Sequence, residues 1–139
     1  MYASHRFFDH TGDFGVDLRA PTREALFAEV ARAWIALLTD APDTVDEREE
    51  RTFEVEGLDD AERLVALGNE LLYLFETHAW LAARIDVRLD DDVVHATAHG
   101  ERYDPDRHPI ARPAKAVTHH GAEVVRDGDG WRGRLIFDL

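Results

Sequence analysis

The side chains of this chain with chemical potential gather at its ends, in His10-Thr11-Gly12-Asp13 and in Asp138-Leu139, with a single lysine, Lys115, between them. There is no cysteine, which rules out a thiolate nucleophile, a disulfide framework and a thiolate zinc site. The one serine, Ser4, precedes the first expected strand, so a serine nucleophile would sit in a fraying terminus. A phosphate-cradling glycine loop, a dinucleotide fingerprint, a helix-borne pair of zinc histidines and a nucleophile elbow are all missing. What remains is carboxylate chemistry. Asp13 follows a sharp break, and Asp138 precedes an apolar last residue whose burial would fix a main-chain oxygen beside a carboxylate, an arrangement suited to a hard cation.

Other sets weaken under geometry. His95, His99 and Glu101 share one strand face, but residues four apart on a strand are about 13 Å apart, too far to converge on one ion. Asp127-Gly128-Asp129-Gly130 imitates the opening of a calcium loop, yet Trp131 and Arg132 stand where that loop needs a ligand and then glycine, so a hairpin turn is expected. His119 and His120 are adjacent and should point to opposite strand faces, with His120 buried and hydrogen-bonded. Lys115 is the only lysine among sixteen cationic side chains; a need for a compact ammonium and simple chance explain it equally well.

The chain of 139 residues suits one domain, 1–139, with a core that needs no staples. No basic leader or membrane-length apolar run stands out, and a cytoplasmic location is expected. The net charge of −13 should repel a phosphate backbone over most of the surface and suits cation binding, a basic partner or a salty host.

The elements that must position these residues follow from periodicity. Arg6 to Asp9 and Phe14 to Arg19 read as strands, with Asp13 on the polar face. A helix runs from Pro21-Thr22 to about Leu38 with Arg23, Glu29 and Arg32 outside its apolar stripe. Asp43 to Arg51 reads as a charged connector, Thr52 to Glu56 as a half-buried strand, and Asp59 as the cap of a second helix ending near Thr77. Ala83 to Leu89 and Val93 to Arg102 form a hairpin; Pro105, Pro109 and Pro113 keep 102–114 irregular; Lys115 to Val125 and Trp131 to Leu139 are the last strands. The expected class is α+β, mostly antiparallel sheet with two main helices packed on it.

In order and spacing, five pieces resemble the archease family: Phe8-Asp9-His10-Thr11-Gly12-Asp13-Phe14-Gly15; Asn69-Glu70-Leu71-Leu72-Tyr73-Leu74; Gly100-Glu101 with Asp104 and His108; Lys115-Ala116-Val117-Thr118 with His120; and the closing Asp138-Leu139. Gly12 stands where the family usually has alanine, and His119 where it usually has an aromatic residue. The resemblance implies a compact α+β domain that is no enzyme itself but an accessory of the RtcB-type RNA ligase, the metal- and GTP-dependent enzyme of tRNA splicing and RNA repair. It also implies promotion of guanylylation of the ligase's histidine, and a calcium site on Asp13, Asp138 and the carboxyl or backbone oxygen of Leu139, with Lys115 functionally important. Two further classes stay open: a metal-dependent hydrolase using Asp13 and Asp138, and a general binding module or chaperone.

Overall fold

A computed structural model describes residues 2–10 and 12–139. Its elements are β1 (Ser4–His10), β2 (Asp13–Ala20), α1 (Arg23–Leu38), β3 (Glu49–Glu56), α2 (Asp60–His78), β4 (Trp80–Asp90), β5 (Val93–Arg102), β6 (Ala116–Asp127) and β7 (Gly130–Asp138). A short 3₁₀ turn, Pro42–Thr44, follows α1. The strands form two antiparallel sheets, ordered β1-β2-β7-β6 and β3-β5-β4. Among the described residues no helix is long and apolar enough to cross a membrane.

Both helices start where their capping residues dictate. Thr22 accepts the Ala25 N–H at 3.1 Å, and Asp59 accepts the Glu62 N–H at 2.8 Å while Glu62 reaches back to the Leu58 N–H at 2.7 Å. Caps of this kind contribute about 1 kcal/mol each. The helices pack on one another and each touches strands of both sheets. α1 is therefore buried nearly all round, from Leu26 and Phe27 to Trp34 and Leu38.

That burial corrects one expectation: Glu29 does not face water. It is 4% exposed and takes a 2.6 Å contact from the His5 ring of β1. β3 also begins three residues early, at Glu49, because the carboxylate of Glu49 accepts the indole N–H of buried Trp80 and the backbone of Glu49 pairs with Gly100. β4 likewise starts at Trp80, and the last hairpin turns on Gly128-Asp129, tighter than five residues.

The largest departure lies in β6. Thr118 pairs with Ile136 and Glu123 with Arg134, so six residues of β6, 118–123, span the length of three on β7. Such a bulge destroys the alternation on which side-chain facing depends. Gly121 takes φ +71, open to glycine at little cost, and His120 is exposed where strict alternation had buried it.

Asn69 of α2 holds β6 just before this bulge. Its side-chain NH₂ donates to Val117 O at 3.0 Å and its carbonyl accepts the Val117 N–H at 2.8 Å, a two-bond clamp on an inward-facing strand residue. Asn69→Ala leaves both backbone groups without a partner and is expected to cost about 2–4 kcal/mol. Urea denaturation checks this; a loss below about 0.5 kcal/mol would contradict the clamp.

Candidate functional site

On the face of the four-stranded sheet turned away from the helices, register sorts the side chains into rows. His10 pairs with Asp13, Ala116 with Asp138, and Phe14 with Phe137 one residue further in. Continuing the β2–β7 register one residue beyond Phe14 and Phe137 sets Asp13 opposite Asp138, for which strand geometry gives Cβ atoms about 5 Å apart. Lys115 stands at the same end: its backbone N–H donates to Asp138 O at 2.7 Å, and its side chain is exposed. Leu139 is half-buried against the core directly after Asp138. Asp13, the Asp138-Leu139 pair and Lys115, far apart in sequence, lie at one end of the four-stranded sheet. Thr11 lies outside the described residues.

Adjacent carboxylates repel, and the row offers little to offset them. The His10 Nδ1 is 3.9 Å from Asp13 Oδ2, and the His10 ring packs at 5.7 Å on the ring of His120, which the bulge delivers to this end. His10 Nδ1 and Thr118 Oγ1 are buried atoms with no hydrogen-bond partner among the described residues. Buried polar atoms are ordinarily paired, so both are places for a water or a partner's group.

Two aspartates and the Leu139 main-chain oxygen are hard oxygen donors of the type calcium takes, though calcium fills six to eight positions. Among the described residues no three His, Asp or Glu side chains converge in ligand geometry, so these side chains do not by themselves complete such a shell.

The chain matches the Archease protein family (MTH1598/TM1083) over residues 5–139. The chain belongs to the archease family. A relative from Methanopyrus kandleri, "Protein archease", is 36% identical over 135 residues, covering 94% of this chain and 96% of its own. One from Pyrococcus furiosus, also "Protein archease", is 28% identical, covering 95% and 96%. The solution structure of Methanobacterium thermoautotrophicum protein 1598 superposes with a TM-score of 0.81 at 30% identity, covering 97% of this chain and 98% of that one. A Thermotoga maritima crystal structure, described as an archease and possible chaperone, shares the fold at a TM-score of 0.66 and 19% identity, covering 95% and 94%.

In this archease Lys115 is delivered by the irregular segment 103–115, which is strapped down at several points. Tyr103 N–H donates to Ala79 O, the N–H groups of Ala111 and Arg112 to Leu38 O, and Arg112 pairs with Asp40 at 2.7 Å. The central fastening is buried Glu101. It accepts from Arg107 at 2.9 and 3.1 Å, from the Asp46 N–H at 2.7 Å, and from His108 Nε2 at 3.0 Å. Because His108 Nδ1 accepts the Asp104 N–H, the ring proton sits on Nε2 and His108 is neutral. Periodicity alone missed this network, although Glu101, Asp104 and His108 all lie in one family motif. The His95, His99 and Glu101 set is divided: His95 faces Glu54 at 2.9 Å and His99 faces Asp86 at 2.9 Å, while Glu101 belongs to the strap.

The Arg107 hydrogen bonds, opposed by burial and aided by the Asp46 N–H and His108, bring the Glu101 carboxyl down from the usual 4.5 to about 2. A depressed carboxyl stabilises the fold above its unfolded value, and that contribution is lost as pH falls from 4.5 towards 2. Glu101→Gln is expected to cost about 1–3 kcal/mol at neutral pH. Its gap to the unsubstituted protein should close as pH drops through that window. Denaturation at a series of pH values reads the gap, and a gap independent of pH would mean the charge is not what holds the strap.

Proposed function

We propose that this protein activates a GTP-dependent RNA ligase of the RtcB type, promoting guanylylation of the ligase's histidine and repeated turnover, and performs no chemistry of its own. Family membership supports the reading, and the side-by-side placement of Asp13 and Asp138 with Lys115 at their edge carries it. Nucleotidyl transfer depends chiefly on neutralising and aligning phosphates. A protein that places charge at the right point can therefore speed a step it does not perform.

The acidic sheet end is the part that enters the ligase's nucleotide and metal site. Asp13, Asp138 and the Leu139 backbone oxygen would hold calcium, and Lys115 presents an ammonium that pairs with phosphate as a point charge. When bound, the cation supplies positive charge next to the triphosphate. The aspartates orient, and the anchored β2–β7 backbone keeps them from moving apart.

A general chaperone is the second reading, supported by the description of the Thermotoga maritima relative. Such a role calls for broad exposed apolar surface. Among the described residues the exposed large apolar side chains are Tyr2, Leu58 and Tyr73, which favours one dedicated partner over many.

Asp13→Ala and Asp138→Ala should each lower ligase guanylylation at least tenfold relative to the unsubstituted activator, with circular dichroism unchanged. Full stimulation by both folded variants would remove the proposal. Calcium should also raise the melting temperature, as any ligand of the folded state does, and the doubly substituted Asp13→Asn, Asp138→Asn protein should lose that rise. An equal rise in both proteins would place the cation elsewhere.

A further inference from the structure

The charge of −13 is not spread evenly. Further along the same outer sheet face, two more cross-strand rows run Arg6, Asp17, Arg134, Glu123 and then Ser4, Arg19, Arg132, Val125. They floor a groove of about 550 Å³ in which four guanidiniums face two carboxylates. Arg19 and Arg132 are direct cross-strand partners. Like charges in that position destabilise a sheet, a cost that folding alone gives no reason to bear.

The carboxylates orient these arginines without saturating them. Arg134 gives Nε and Nη2 to Asp17, Arg132 gives Nη2 to Glu123, and Arg19 gives Nη1 to Asp127. A guanidinium carries five N–H donors, so most donors in the groove have no partner among the described residues. The lining holds no large apolar side chain of the kind that anchors a protein partner. Phe8, in the adjoining row, lies over Gly15 and beneath the Arg134 guanidinium at 4.7 Å, so its ring has no open face for a base.

We propose that this groove binds the phosphate backbone of single-stranded RNA, by charge and without reading sequence. Guanidinium forks match phosphate geometry, and the two rows lie about 7 Å apart along the strands, a width that suits one strand. The net charge argues against RNA only if averaged over the molecule; locally the sign is reversed. Along β7 the groove begins about 13 Å from the Asp138 row, so RNA held there lies beside the acidic end without occupying it. This inference goes beyond the activator reading and does not depend on it.

The test uses the isolated chain of 139 residues, with fluorescence anisotropy of a labelled oligouridylate and a mixed-sequence RNA of equal length at low salt. Both should bind alike, with log K falling against log salt at a slope of about −3 for four phosphate contacts to a single strand. Arg19→Ala and Arg132→Ala, whose side chains are 60% and 43% exposed and support no core, should each weaken binding three- to tenfold and flatten the slope by about 0.7. Arg88→Ala, 68% exposed on the other sheet, should leave binding unchanged. The proposal is overturned by absence of RNA binding, by an equal loss with Arg88→Ala, or by tighter binding of an oligoglutamate peptide of equal charge, which would mark a surface for an acidic protein.

Discussion

The antiparallel pairing of β2 with β7 is the constraint on which the molecule rests. It ties residues 14–20 to 131–137, almost the full length of the chain apart, and places both strands at the centre of the four-stranded sheet. β1 and β6 add to its two sides, and α1 and α2 close its inner face over Val16, Leu18, Leu135 and Phe137. Closing so long a loop is entropically costly, but the cost grows only slowly with length, and a central ladder with a buried face is the kind of contact that offsets it. Asp13 and Asp138 stand one residue beyond this ladder. Their proximity is enforced by the core, so two repelling carboxylates can be held together without a bond between them.

The same pairing divides the outer face by charge. Because side chains alternate with period two, residues 13, 17 and 19 of β2 share a face with 138, 134 and 132 of β7, giving an acidic row at one end and arginine rows at the other. The bulge in β6 breaks the pattern on one side only, bringing His120 to His10 beside the acidic row. The strap from Tyr103 to Lys115 then carries the lysine to the backbone of Asp138. Rigidity at the site therefore comes from the β2–β7 ladder, the Asn69 clamp on β6 and the Glu101 network that fastens the segment leading to Lys115.

Much of this was legible in the chain. The α+β class, the helix start at Pro21-Thr22, the cap at Asp59, the 93–102 strand and the irregular proline segment are local matters, decided by residue type and spacing. Features that depend on partners were not. Glu29 looked solvent-facing because a helix wheel does not show that a second layer will cover its polar side, and His120 looked buried because alternation does not reveal a bulge. Glu49 joined a strand because its backbone pairs with Gly100 and its carboxylate accepts the indole N–H of Trp80, partners that lie far away in sequence. For the site, Asp13, Asp138 and Lys115 could be marked by resemblance, whereas their meeting at one end of the sheet is a property of register. The arginine groove escaped entirely, since its four cations come from β1, β2 and β7 and vanish into the net charge.

In the function proposed for this protein, the chemistry happens in a partner whose reactive centre it helps to charge and align. The most direct measurement is turnover by a limiting amount of GTP-dependent RtcB-type ligase acting on excess RNA ends, followed with and without this protein. Product is expected to exceed the ligase many times over in its presence and to stall near one equivalent in its absence. Identical progress curves in the two cases would contradict it.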